Sequence, residues 1–415
     1  MGGEQRVRVT SEIGPLRSVI CHTPGPELLA VTPATREDFL YDDIIDLEQA
    51  RREHHRFTAL LSRFAEVHEV SELLEEVMDI PECRRFLIER VMDVAQSEPL
   101  ARQLEPMPAA ELVSLFIEGR EVQSAGPLQE LLGRAAHDLP PLPNLFFTRD
   151  AAMSINDGVI VGSMRHTVRW SEEILMKALF QYHPRLRNSG LIYDGSEERR
   201  AGYTIEGGDV HIIRPDLVVM GLSERSSPGA FDTIAERLAR QGVTDVLVVV
   251  LPIDRAMIHL DMIFTMIDRE HCVVFPPSFI GPTRSPVLHY RAGMQGMREM
   301  PNLFTALRQL DLPLEPIMCG GERRTFQERE QWSSGCNFVA VRPGVILGYS
   351  RNENTYRELE REAGYRIVDA IEFLTGETDI EEDEKAAIVF EGSELVRGGG
   401  GGRCMTMPVV RDDIW

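Results

Sequence analysis

A few short stretches place ionisable residues where the neighbouring sequence is apolar or glycine-rich. PNLFFTRD ends at Asp150, IEGGDV holds Glu206 and Asp209, and HLDM holds His259 and Asp261. Arginines stand at two hairpin exits, Arg169 and Arg225, and RGGGGGRCMTMP brings Cys404 just after five consecutive glycines. Each has an ordinary structural use: an aspartate caps a turn, a Gly-Gly pair makes a bulge, and a lone histidine is commonly a hydrogen-bonded core group. Together they suit one substrate chemistry. A guanidinium ion is planar with its N–H donors in a fixed fork, so two carboxylates, Asp150 and Asp261, can grip it and hold its carbon still. That carbon is a poor electrophile, which calls for a strong nucleophile, and the thiolate of Cys404 is the natural one. A histidine supplies the proton to a leaving amine and then takes one from water, so His259 reads as acid and base, with Glu206 orienting it. The glycines let the backbone approach a ligand closely and place Cys404 at a pocket rim; a flexible linker is the other reading, but little sequence remains for it to link.

Composition narrows the partners. The chain has 44 Lys+Arg against 66 Asp+Glu, a formal charge of -22, which opposes broad attraction to nucleic acid or anionic lipid and favours a small cation. The longest strongly apolar run, 246–253, is interrupted by Pro252 and falls far short of the ~20 residues of a membrane-spanning helix. No charged-then-apolar segment opens the sequence, so the expected location is cytoplasmic. Six cysteines are scattered singly, without zinc-type spacing, and five of them read as small buried hydrophobes. The only lysines, Lys177 and Lys385, lie outside any glycine-rich phosphate loop, which disfavours Walker-type nucleotide binding.

The elements that must position these residues show a recurring pattern. Two β-type runs joined by a tight turn appear at 151–165, 210–225, 262–277 and 337–351, with a fainter copy in LRSVICHTPG at 16–25. Asn-Asp-Gly, Arg-Pro-Asp and Arg-Pro-Gly are favoured turn sequences, and the flanking Val and Ile suit strands. Between the hairpins lie amphipathic stretches such as Leu47, Ala50, His54, Phe57, Leu61 and Phe64, spaced for one helical face. A strand-strand-helix unit repeated about five times points to closure around a shared axis, as a propeller or barrel, with loops converging on a central pocket. An α+β domain with similar hairpins is the alternative that pattern alone leaves open. From Ser71 to about Asp138 the rhythm breaks into short helices, in SELLEEVMD, CRRFLIERVMDVA, PAAELVSLFIEG and PLQELLGRAAHD, with Pro108 and Pro127 in first-turn positions. The expected organisation is an α/β catalytic domain of 1–70 and 139–415 with a helical subdomain, 71–138, inserted.

The ordered set FTRD, EGGDV, HLD and a glycine-rich loop into CMTMP resembles the bacterial arginine deiminase family of the guanidine-modifying enzyme superfamily, from about residue 10 to the C-terminus. The resemblance implies a five-bladed, pentein-type α/β propeller and conversion of L-arginine to L-citrulline and ammonia without metal or cofactor. By motif position, Cys404 resembles the nucleophile, His259 the acid/base, Glu206 its partner, and Asp150 and Asp261 the guanidinium clamps. Asn144, Phe147 and Asp209 fall with the residues around the substrate, and Arg169 and Arg225 with those gripping its α-carboxylate. The resemblance also implies a homo-oligomer, a dimer or tetramer. One departure stands out: where several members carry Arg-Gly-Arg-Gly, this chain has Gly399, leaving Arg397 upstream. The competing functions are an arginine dihydrolase or a deiminase of another guanidine, a manganese ureohydrolase using His259, Asp261 and Asp150, and a silent arginine-binding protein.

Overall fold

The turn residues shape four local hairpins. The computed structural model describes residues 6–95, 98–121, 128, 137–187, 189–198 and 202–415. Ala152–Ile155 runs antiparallel to Gly158–Val161, with Asn156 in the left-handed region at φ +52, a conformation asparagine tolerates better than most residues. Val210–Arg214 pairs in the same sense with Leu217–Leu222, Phe264–Met266 with His271–Val274, and Val339–Arg342 with Val345–Tyr349.

In each hairpin the second strand also takes a parallel neighbour from further along the chain: Gly190–Asp194, Asp245–Val250, Glu315–Met318 and Ala386–Phe390 respectively. Parallel neighbours need a crossover connection. The helices Trp170–Tyr182, Pro228–Arg240, Leu303–Gln309 and Glu353–Ala363 lie within these crossovers. The first part of the 246–253 apolar run lies in the buried strand Asp245–Val250, flanked on both edges.

The fifth copy differs from expectation. LRSVICHTPG forms the single strand Leu16–Cys21, and the chain then turns through Pro24 into the helical turn Pro26–Ala30. Prolines there supply no N–H for a returning strand. The antiparallel partner comes instead from the other end of the chain, Met407–Arg411, and the parallel neighbour Glu66–Glu69 follows the helix Leu47–Leu61. That helix is capped by Asp46, which accepts from the Gln49 amide at 2.7 Å, and buries Ala50, His54, Phe57, Leu60 and Leu61. Its Phe57 stacks on Phe390 with ring centroids 5.1 Å apart.

Among the described residues, five sheets of three to five strands carry these units, each with open edges, and a further two-stranded pairing joins Arg120–Glu121 to His137–Leu139. The stretch read as helical contains Val70–Met78, Pro81–Ala95, Glu98–Leu104 and Ala109–Glu118. Leu73, Leu74, Leu87, Val91 and Phe116 pack in one cluster with Leu175 and Leu179 of the helix Trp170–Tyr182. Pro108 takes the N-cap position rather than the first turn. The helix expected in PLQELLGRAAHD falls largely outside the described residues. Among the described residues no helix is long and apolar enough to cross a membrane.

Candidate active site

Each hairpin is entered through a short turn, and these turns hold the chemistry. Asp150 lies in Thr148–Ala151, immediately before the strand Ala152–Ile155. Glu206 precedes the turn Gly207–Asp209 that leads into Val210–Arg214, and His259 precedes Leu260–Met262, which leads into Phe264–Met266. Cys404 follows the glycine run and precedes Met407–Arg411. The equivalent position in the fourth hairpin is Asn337, two residues before Val339–Arg342.

The turns converge on a cavity of about 150 Å³. Of the sequence-derived candidates, Asn144, Phe147, Asp150, Arg169, Arg225, His259 and Cys404 line it. Glu206, Asp209 and Asp261 are completely buried beside them. Cys404 is itself buried, 3% exposed, so it sits inside the wall rather than at the rim expected from the glycine run. The other five cysteines are buried too, and what sets Cys404 apart is its polar company. Its Sγ accepts from Asn337 Nδ2 at 3.1 Å and lies 3.4 Å from Asp261 Oδ2, and its amide donates to Asn337 Oδ1 at 3.1 Å. Burial pushes the thiol well above its usual range, and the carboxylates of Asp261 and Asp150 push it the same way.

His259 Nε2 meets Glu206 Oε2 at 2.8 Å, and Nδ1 lies 3.8 Å from Asp150 Oδ1. Burial disfavours its charged form, but Asp150 and Glu206 outweigh this and raise it to about 9, so the ring is imidazolium at neutral pH. Burial likewise opposes ionisation of Glu206, yet Arg225, His259 and Arg169 hold its carboxyl well below the usual range. Its other oxygen accepts from the Arg165 amide at 2.9 Å.

Asp150 and Asp261 share a peculiarity. Asp150 Oδ2 accepts from Arg169 at 2.8 Å and Asp261 Oδ2 from Arg403 at 2.9 Å, while Oδ1 of each is buried without a hydrogen-bond partner. Such atoms are costly unless something supplies a donor.

Asp209 is placed as a support rather than against the cavity. Its oxygens accept from the Leu260 amide at 2.9 Å and the Ser223 hydroxyl at 2.6 Å, which ties the EGGDV turn to the HLD turn; burial pushes its carboxyl up to about 6. Arg169 reaches the cavity, but Nε and Nη2 fork onto Glu172 at 3.0 and 2.7 Å and Nη1 is on Asp150. Arg225 donates to Glu206 at 3.2 Å, and its buried Nε, 3.7 Å from Glu224 Oε1, makes no hydrogen bond. Asn144 Nδ2 donates to Phe39 O at 2.9 Å, and the ring of Phe147 lies against the glycine run.

At Gly208 and Gly400 close approach leaves no room for a side chain. A Cβ on Gly208 would stand 2.6 Å from the His259 ring, and one on Gly400 would stand 2.5 Å from Phe147. Gly208→Ala should therefore displace the imidazole and lower kcat about 10-fold, read by steady-state turnover beside a Tm. An unchanged kcat would show that the ring has room to move. Gly399, at φ +86, meets nothing within 4 Å, and Arg397 is turned onto Asp43 at 2.6 Å. A second pair, Arg255 and Asp42 at 3.1 Å, stands with it at the cavity mouth.

Sequence reasoning missed Asn337, Glu172, Arg403 and Glu12. Asn337 was legible as the residue entering the fourth hairpin, and Glu172 as the i+3 neighbour of Arg169. Glu12 carries no local signal. Asp150, Glu206 and His259 have ligand atoms close enough to surround a metal ion. Arg169 and Arg225 already pair with those carboxylates, which sets cations where a metal's charge would lie.

This fold also occurs in enzymes that process guanidines. The N-terminal domain of a cyanobacterial arginine dihydrolase matches with TM-score 0.53 at 15% identity, covering 95% of this chain and 97% of that chain. Dimethylarginine dimethylaminohydrolase from Pseudomonas aeruginosa matches with TM-score 0.51 at 14% identity, covering 95% and 99%. The chain is thus an α/β protein of the pentein type. Sequence places it further: the arginine deiminase family model matches residues 37–411, and the chain belongs to that family. Curated arginine deiminases are similar along their whole length, 33% identical in Bacillus thuringiensis subsp. konkukian and 32% in Lactococcus lactis subsp. cremoris, each covering 98% of this chain and 99% of the relative.

Proposed function

We propose that the protein hydrolyses L-arginine to L-citrulline and ammonia through a covalent amidino-cysteine intermediate. The observation that carries this reading is the pair of buried carboxylate oxygens that accept no hydrogen bond, Asp150 Oδ1 and Asp261 Oδ1, in the same site as the Cys404 thiol. A guanidinium brings the donors both lack, and its charge offsets the burial and the carboxylates that keep the thiol protonated. The thiol then loses its proton to solvent and Sγ bonds to the guanidinium carbon. Imidazolium His259 protonates the departing amine, and ammonia leaves. Neutral His259 next takes a proton from water as the water oxygen bonds to the same carbon; the C–S bond then breaks, the remaining hydroxyl proton passes to the sulfur, and the thiol is restored as citrulline is released. Glu206 fixes the ring and balances its charge in both steps. Asn144, Phe147, Arg225 and Arg169 surround the rest of the substrate, with Arg225 the hand left for its α-carboxylate and Asp209 holding the HLD turn in place.

The five sheets are proposed to surround a common axis as a five-bladed propeller formed by 1–70 and 139–415, with 71–138 as an inserted helical subdomain. Incubating the protein with L-arginine, with and without EDTA, should yield citrulline and ammonia equally in both. Ornithine as product would favour the dihydrolase reading suggested by the structural neighbour. Inhibition by EDTA that manganese reverses would instead favour a ureohydrolase.

The charge states set a pH dependence. His259 must enter the cycle protonated, so kcat/KM for arginine should fall as pH rises through about 9. Alkylation of Cys404 by iodoacetamide in the free protein should run the other way, slow at neutral pH and faster as pH climbs, because the buried thiol ionises late. A turnover profile that rises across the same range as alkylation would mean that the free thiolate, not the substrate-bound thiol, starts the reaction.

A further inference from the structure

Behind the clamps lies a second buried charged group that the chemistry above does not use. Arg403, the residue before Cys404, is 1% exposed. Its Nε and Nη2 fork onto both oxygens of Glu12 at 3.1 and 3.0 Å, Nη2 also donates to Val210 O at 2.7 Å, and Nη1 donates to Asp261 Oδ2 at 2.9 Å. Arg149, the residue before Asp150, closes the arrangement: its amide donates to Cys404 O at 3.1 Å and its Nε to Arg403 O at 3.4 Å. These two chain neighbours of Cys404 and Asp150 thus hold other parts of the site. Glu12 comes from the N-terminal segment, where its amide donates to Ile212 O at 2.7 Å.

We propose that Glu12 and Arg403 are positioning residues for arginine hydrolysis: their fork aims Arg403 Nη1 at Oδ2 of Asp261, which keeps Oδ1 free for the guanidinium at a set distance from Cys404. A guanidinium does this because its donors are fixed in one plane; three lie on Glu12 and Val210, so the fourth direction is determined. A lysine offers a single charged point and cannot hold both carboxylates in register. Without the charge of Glu12, Arg403 is a buried cation whose remaining carboxylate is Asp261, and it pairs with both oxygens of Asp261, taking the one the substrate needs.

This rests on the deiminase reading, so wild-type citrulline production is measured first; its absence sinks that reading and not the geometry. In Arg403→Lys, which keeps the charge, kcat/KM for arginine should fall roughly 10- to 100-fold. Alkylation of Cys404 by iodoacetamide, an uncharged reagent with no use for the clamp, should stay within about twofold of wild type. In Glu12→Gln, which leaves the arginine in place, KM for arginine should rise and kcat fall by about 10-fold while Cys404 still alkylates. Wild-type kcat/KM in Arg403→Lys overturns the proposal. So does a loss of turnover matched by an equal loss of alkylation in both variants, or failure of both to fold, each of which assigns the pair to the core alone.

Discussion

Cys404→Ala abolishes turnover of arginine, by more than ~10⁴-fold, while leaving the protein folded. Both halves of this expectation follow from where the residue sits. Its small side chain touches Asn337 and Asp261 as well as the edge of an apolar cluster that includes Phe147 and Val396, and it lies in a turn between the glycine run and the strand Met407–Arg411. Truncating so small a side chain costs about 1 kcal/mol, within the stability of an ordinary domain. No neighbouring group replaces its nucleophile: the other cysteines lie outside the cavity, and neither aspartate reaches a guanidinium carbon with comparable nucleophilicity. In the wild type, acid quenching during a single turnover should leave the peptide containing Cys404 heavier by arginine less ammonia, the mass of the amidino adduct. Residual turnover in Cys404→Ala, with no adduct on the wild type, would sink the covalent route.

Arg225→Ala should lower kcat/KM for arginine roughly 10- to 100-fold, the effect of losing a charge-assisted arginine-carboxylate contact of ~1.5–3 kcal/mol. The reason for choosing Arg225 over Arg169 is structural. Arg169 spends its donors on Glu172 and Asp150, so its removal would collapse a clamp, whereas Arg225 retains a buried Nε with no hydrogen-bond partner, 3.7 Å from Glu224. Arg225 also contacts Glu206 at 3.2 Å, which gives it a second possible role through His259. Agmatine separates the two, since it has the guanidinium but no carboxylate. A poor substrate for the wild type, it should lose far less than arginine does in Arg225→Ala. Arg397 is held by Asp43 at 2.6 Å, so it is poorly placed to compensate. Equal losses on both compounds would show that Arg225 acts on Glu206, and the placement of the α-carboxylate would be wrong.

Much of the site is legible because its residues violate local expectation. Carboxylates, a histidine and a cysteine stand beside glycines and strand residues; FTRD, EGGDV and HLD each fall at the entrance to a hairpin, and CMTMP at the entrance to a strand. Alternation of turn and strand residues, a property of neighbours in the chain, is enough to find four hairpins. The fifth escapes because the partner of Leu16–Cys21 is Met407–Arg411, at the opposite end of the chain, and no turn sequence can announce a pairing of that separation. The same limit explains Glu12, whose partner Arg403 lies 391 residues away.

What the sequence by itself determined is the chemistry available: a thiol, a histidine with a carboxylate partner, two further aspartates, and the turns and strands that carry them. These are decided by residue type and by spacing over a few positions. Only the tertiary structure decided how each group is used. It made Arg169 an anchor of Asp150, set Asp209 to hold the HLD turn, brought Asn337 onto the thiol and buried Cys404 in the cavity wall. It also set the protonation states, raising His259 to about 9 and the Cys404 thiol well above its usual range. Desolvation and the field of nearby charges depend on distances between segments remote in the chain, and those distances exist only once the hairpin entrances have converged.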